Sequence, residues 1–129
     1  MSISRQNLSI VIVTLKSENV IDDCLKSINQ NIPIIVVEHS NNSNFKEKLE
    51  SKYKNLKCIL SKSNLGMGSG NNIGIKVAET QYVLILNPDV ILEKNALEEL
   101  FLASKDLLNF SVIAPIEESF ANYGTFNKK

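Results

Sequence analysis

Short β-branched runs alternate with amphipathic helical stretches along almost the whole chain, and this alternation limits the fold more than any other feature. Ile10-Val11-Ile12-Val13 is a continuous apolar run with polar flanks, as a strand buried on both faces should be. Ile21, Leu25 and Ile28 recur at helical spacing with Asp22, Asp23, Lys26 and Gln30 between them, which predicts a helix from about Asn19 to Gln30. Pro33 opens a second run, Ile34 to Val37, which ends in the polar loop Glu38-His39-Ser40-Asn41-Asn42. Phe45, Leu49 and Tyr53 stand four apart in a charged stretch and predict a helix from about Phe45 to Lys54. Leu56 to Leu60 reads as a short strand. A glycine-rich stretch from Asn64 to Gly74 then passes into a helix ending near Glu79. Tyr82 to Leu86 is a strand stopped by Asn87-Pro88-Asp89. A helix from about Lys94 to Leu108 carries Leu97, Leu100, Phe101 and Leu108, and Phe110 to Ala114 reads as a last strand before Pro115. Five strands alternating with helices argue for an α/β fold with a parallel sheet covered on both faces.

Size and charge narrow the class. The 129 residues suit one domain, 1–129, with 117–129 reading as a frayed tail. Hydrophobic residues make up 43% and charged residues 22%, a globular composition that argues against disorder. Lys plus Arg and Asp plus Glu are 14 each, so there is no net electrostatic footprint for nucleic acid. No run approaches the roughly eighteen apolar residues of a membrane span. The run Leu8 to Leu15 is interrupted by Ser9 and Thr14, and no small-residue cleavage site follows it, so it reads as a strand and not as a signal segment. Peripheral contact with a membrane needs no such span. Cys24 and Cys58 share no CxxC spacing and come with a single histidine, which speaks against a zinc site or a disulfide framework. Their apolar neighbours point to packing.

In an open parallel sheet, ligands sit at the carboxyl ends of the strands. That rule selects Thr14-Leu15-Lys16, Glu38-His39, the glycine stretch and Asn87-Pro88-Asp89. Gly66, Gly68 and Gly70 alternate and Gly74 follows, so the dinucleotide fingerprint fails at Asn71, and no Gly-Lys-Ser or Gly-Lys-Thr marks a P-loop. The stretch either presents backbone amides to an anion, with Ser69, Asn71 and Asn72 near the helix start, or is only a permissive turn with a cap. Asp89 could hold a magnesium or manganese ion whose other ligands are water and substrate phosphates, with Asn87 adding a neutral oxygen. An ordinary turn before the next helix is the alternative. Glu38 could accept hydrogen bonds from a ribose or a base, or could be a solvated loop acid. His39 has no partner within sequence reach and reads as a surface loop residue.

Taken together and in this order, these features resemble the family 2 glycosyltransferases, particularly their rhamnosyltransferase-like branch. The stretches that carry the resemblance are Ile10-Val11-Ile12-Val13-Thr14, then Ile35-Val36-Val37-Glu38-His39-Ser40-Asn41-Asn42, then Asn64 to Ile75, and last Tyr82-Val83-Leu84-Ile85-Leu86-Asn87-Pro88-Asp89. The resemblance covers about residues 8–116. It implies the GT-A fold, a Rossmann-like three-layer α/β/α arrangement with a mostly parallel sheet of about five strands. It also implies a nucleotide-sugar donor, a divalent cation (Mg²⁺ or Mn²⁺), and a glycan or lipid-linked acceptor in surface polysaccharide synthesis at the cytoplasmic face of a membrane. Carried over by position, Thr14 would lie under the nucleotide and Glu38 would bind its base or ribose. Gly66, Gly68, Asn71, Asn72 and Asn87 would line the donor pocket, and Asp89 would be the metal ligand.

The chain departs from the family pattern at several points. Leu15-Lys16 stand where Tyr-Asn is frequent, and Glu38-His39 where Asp-Asn is usual. Asn87 replaces the first acid of the metal motif, so cation affinity should lean on the diphosphate. Full members add a second half with the acceptor site and the catalytic base, and nothing assigns Glu117 or Glu118 to that role. The chain therefore reads as a truncated donor-binding half, and a non-catalytic remnant is the alternative. A truncated sheet exposes an edge and would favour self-association. A phosphoacceptor receiver has a similar sheet, but needs acids where Thr14-Leu15-Lys16 stand and an Asp where Ser61-Lys62-Ser63 stand.

Overall fold

The structure is a computed structural model that describes residues 3–64, 66–107 and 109–115. The first apolar run forms β1 (Leu8–Thr14), preceded by a 3₁₀ turn at Arg5–Asn7. It is followed by α1 (Ile21–Lys26), β2 (Ile34–Glu38), α2 (Ser43–Lys52), β3 (Leu56–Leu60), α3 (Met67–Val77), β4 (Tyr82–Ile85) and α4 (Ala96–Asp106). The strands form one parallel sheet in the order β3-β2-β1-β4.

The layer arrangement follows from strand periodicity. On β1, Ile10 and Ile12 face a core built with Ile34 and Val36 of β2, Ile21, Cys24 and Leu25 of α1, and Phe45 and Leu49 of α2. Leu8 points the same way and packs with Phe101 of α4. Val11 and Val13 face the other side, where Ile35, Val37 and Ile73 of α3 join them. The chain steps from β1 through β2 to β3 with α1 and α2 on one face. It then returns across the sheet to β4 through α3 on the opposite face, as right-handed crossovers require. Strand order thus reverses between β1 and β4, and ligands of open α/β sheets bind at such a switch point.

The sequence reading and the structure differ at the element ends. α1 is shorter than the predicted helix because Ser27 Oγ donates to Cys24 O at 2.6 Å and Asn31 N donates to Asn29 Oδ1 at 2.9 Å, which ends the helical ladder. α2 starts two residues early because Asn42 Oδ1 caps it, accepting from Phe45 N at 3.0 Å. Among the described residues the sheet has four strands where five were expected. Phe110 to Ala114 forms no ladder with any described residue: Phe110 stacks on Tyr82 with ring centroids 6.0 Å apart, and Val112 is 84% exposed. Asn109 before it has φ 59°, which turns the chain out of extended geometry. The sequence-predicted tail 117–129 lies outside the described residues.

Candidate active site at the carboxyl edge of the sheet

Parallel register places Thr14 beside Glu38 at the ends of β1 and β2. Both are buried, with Glu38 fully so. Its carboxyl group is held by three hydrogen bonds: Thr14 Oγ1 donates to Oε2, while Ser40 N (2.7 Å) and Ser40 Oγ donate to Oε1. This corrects the alternative of a solvated loop acid. A buried carboxyl group is costly unless hydrogen-bonded, and here β1 and the loop after β2 supply the donors. The sequence reading does not single out Ser40 as a partner of Glu38, although a serine two positions after an acid is a short-range turn signal.

His39 is likewise buried and does not lie on the loop surface as predicted. Its N–H donates to Thr14 O at 2.9 Å, which continues the ladder past the strand ends. Its ring passes under the start of α3, where Nε2 lies 3.1 Å from Gly66 O. The partner is 27 positions away in sequence, beyond the reach of local pattern reading.

The glycine stretch resolves into different roles. Gly66 caps α3 with φ 86°, a backbone conformation that only glycine adopts without strain. A Cβ on Gly70 would lie 2.6 Å from His39 Nε2 and 2.8 Å from both Val13 methyls. A Cβ on Gly74 would lie 2.4 Å from Val11 Cγ1. These two glycines let α3 lie directly on β1 and β2. Gly68 has ordinary backbone geometry, and its Cβ would meet nothing within 4 Å among the described residues. Among the described residues no side chain caps α3. Its first amides, on Met67, Gly68 and Ser69, have no intrahelical acceptor and sit at the positive end of the helix dipole. Asn71 is half-buried and Asn72 exposed on the next turn.

Beyond β4, Leu86 N still donates to Val11 O at 3.0 Å, so the chain runs beside β1 until Asn87-Pro88-Asp89 turns away. Val90 N closes that turn on Asn87 O at 3.2 Å. Asn87 and Asp89 are both exposed at the edge. α1 backs the turn: Cys24 Sγ donates to Asn87 O at 3.7 Å. Burial pushes the Cys24 thiol up to about 11, and the field of Asp89 adds to the shift. Among the described residues there is no group of three or more His, Cys, Asp or Glu able to hold a metal ion. Among the described residues, this edge would offer a cation one exposed carboxylate, Asp89, and a neutral amide, Asn87. That donor set fits an ion bound mainly through a diphosphate, and does not fit a dedicated protein cage.

The structure thus brings Thr14, Glu38, His39 and the start of α3 into one hydrogen-bonded assembly. Asn87 and Asp89 stand on the neighbouring strand end, across the switch point. A separate cavity of about 740 Å³ lies between β4 and α4, lined by Leu84, Leu86, Val90, Leu97 and Ile113 and touching Asn87. Its apolar lining is unsuited to a diphosphate. No helix among the described residues is long and apolar enough to cross a membrane.

Comparison with known proteins agrees with this geometry. The family described as "Glycosyl transferase family 2" matches residues 9–128. The low-salt glycan biosynthesis hexosyltransferase Agl10 of Haloferax volcanii is 32% identical over 113 residues, covering 84% of this chain and 36% of that protein. Crystal structures of S. aureus TarS 1-349, one of them in complex with UDP, align with a TM-score of 0.60 and 25% identity over 72% of this chain and 30% of theirs. The chain spans about a third of the length of these relatives. With the family matched from β1 through the last described residue and beyond, on a parallel α/β sheet, this chain belongs to glycosyltransferase family 2.

Proposed function

We propose that the carboxyl edge of this sheet binds the diphosphate and nucleoside of a nucleotide-sugar donor, for transfer of a hexosyl group to a glycan or lipid-linked acceptor. Gly68 carries the reading. Of the four glycines in the stretch, it alone has neither a positive φ nor a close internal neighbour. A glycine in a helix costs up to about 1 kcal/mol relative to alanine, so its open side calls for something outside the chain. An anion approaching the free amides of Met67, Gly68 and Ser69 fits that space. The UDP bound by TarS supports a uridine diphosphate as the first ligand to test.

Each residue then has a physical task. The amides of α3 bind phosphate oxygens. Thr14 and Ser40 hold Glu38, which is fully buried, so it shapes the nucleoside side of the site by fixing the loop after β2 and not by direct contact. Asn87 and Asp89 would hold a divalent cation against the diphosphate, and the bound cation would offset the charge that builds on the departing group. Asn71 and Asn72 line the pocket beyond the first turn of α3. Because the chain spans a third of its relatives, the acceptor site and general base are sought outside the described residues, where Glu117 and Glu118 also lie. Nucleotide sugars place this chemistry on the cytoplasmic side, at the inner face of a membrane that presents the acceptor. The outer edge of β4 has no paired strand among the described residues, and we propose it as the surface for self-association.

Calorimetric titration with UDP in the presence and absence of Mn²⁺ tests the donor site. Saturable, cation-dependent binding is expected. No binding of UDP or other nucleoside diphosphates with Mn²⁺ or Mg²⁺ would sink the reading.

A further inference from the structure

The donor reading leaves one buried polar group without a task. His39 is 5% exposed, and its imidazole lies between the end of β2 and the first turn of α3. Gly66 O can only accept, so the Nε2 that faces it at 3.1 Å carries the proton. Nδ1 is then an unprotonated acceptor, and it is buried with no partner among the described residues. The same Gly66 carbonyl accepts from Gly70 N at 3.1 Å, so His39 takes its second lone pair. Gly70 lacks a side chain where the ring needs room: a Cβ there would come within 2.6 Å of Nε2. Carbonyl, ring and missing side chain together form a seat for α3 on the sheet.

A seat of this kind has consequences at the helix start. Gly66 has φ 86°, in a turn that glycine leaves conformationally free. Among the described residues, α3 has no side-chain cap to fix that turn from outside. The direction of the Met67, Gly68 and Ser69 amides therefore depends on how the Gly66 peptide is held, and His39 holds it from below. We propose that His39 is a positioning residue of the donor site: its Nε2–H fixes the Gly66 carbonyl, and thereby the direction in which the first amides of α3 meet the diphosphate. It makes no contact with the ligand. This inference rests on the donor-site reading.

The test uses the full chain and UDP with Mn²⁺ as the probe. His39→Leu keeps apolar bulk and removes the donor. His39→Gln restores an N–H at about the reach of Nε2. Affinity should fall about tenfold or more in His39→Leu, and should return to within about threefold of wild type in His39→Gln. All titrations are made well below each variant's Tm, so lost stability alone does not change the affinity of the folded chain. Equal UDP affinity in wild type and His39→Leu would overturn the inference while leaving the donor site standing. No UDP binding by wild type would instead remove the donor reading, and this inference with it. If His39→Leu does not fold, two results decide. Two-bond ¹H–¹⁵N correlations on wild type must show the proton on Nε2, and His39→Gln must bind. A proton on Nδ1, or a folded His39→Gln that has lost binding, would overturn it.

Discussion

Alanine at Gly68 and alanine at Gly74 add the same methyl to the same helix, and they should move stability in opposite directions. At Gly68 the new Cβ meets nothing within 4 Å, so only the helix preference for alanine acts. That preference is worth about 0.5–1 kcal/mol. Unfolding entropy near 2.1 cal/mol/K per residue, over 129 residues, is about 270 cal/mol/K, so Tm should rise by about 2–4 °C. At Gly74 the methyl would lie 2.4 Å from Val11 Cγ1, 3.0 Å from Cγ2 and 3.3 Å from Cβ. Val11 is fully buried on a strand paired on both sides and has a stiff χ1, so it cannot retreat. Overpacking of this kind costs about 1–3 kcal/mol, and the upper part of that range applies here. After subtracting the helix gain, Gly74→Ala should lose about 1–2 kcal/mol, a Tm drop of about 4–7 °C. Thermal unfolding and urea titration read both variants. Isothermal titration with UDP and Mn²⁺ adds the functional half. Gly68→Ala should be more stable yet bind about tenfold more weakly, because the methyl fills the space where the diphosphate approaches. Gly74→Ala should bind normally well below its Tm. A Gly68→Ala variant that gains both stability and affinity would refute the reasoning, and so would a Gly74→Ala variant as stable as wild type.

Two further substitutions follow from the site, and two further tests from the buried thiols. Thr14→Val removes one donor from a fully buried carboxyl group and should cost about 1–3 kcal/mol in urea unfolding, with weaker UDP binding. Asp89→Asn changes an exposed side chain, so stability should stay within about 0.5 kcal/mol of wild type. The Mn²⁺ dependence of UDP binding should nonetheless disappear, as calorimetry with and without the ion would show. Burial pushes the Cys24 and Cys58 thiols up to about 11 and about 12 from an ordinary 9.0, and Tyr53 rises likewise through burial and then Asp22. Groups raised in the fold contribute stability that is complete below their unfolded pKa and is lost as pH rises through the folded value. Urea midpoints should therefore be flat in this respect to about pH 8.5 and fall between about pH 9 and pH 12. At pH 8 a thiol reagent should modify both cysteines only as fast as the chain unfolds.

The layer order and the parallel sheet were readable because strand and helix periodicities are local. β3 occupies the predicted residues, Leu56–Leu60, because its run is bounded on both sides by polar residues. The last expected strand failed for a non-local reason. Phe110 to Ala114 has the right residue types, but a strand exists only when a neighbour pairs with it, and here Phe110 is engaged by the Tyr82 ring. The site shows the same division. The position of Glu38 at a strand end follows from the pattern of its own strand. Its burial depends on Thr14, which is 24 residues away and adjacent only through the register of β1 and β2. His39 was misplaced on the surface because its partner is the carbonyl of a glycine that sequence inspection treats as a loop.

The exposed Asp89 and the uncapped start of α3 imply something that neither feature implies alone. A single carboxylate with a neighbouring amide cannot hold a hydrated divalent ion tightly, since such ions want several oxygen ligands. The dipole of a helix start by itself binds a diphosphate only modestly, because it acts within the first turn. Each ligand supplies what the other lacks: the diphosphate brings oxygens to the cation, and the cation screens the diphosphate's charge. On the proposed reading their binding should therefore be coupled, and by linkage the coupling is the same seen from either side. The cation should raise UDP affinity by the same factor by which UDP raises cation affinity. On the proposed donor reading, Asp89 would contribute mainly to the ternary complex, and a single exposed acid at the sheet edge would suffice for that task.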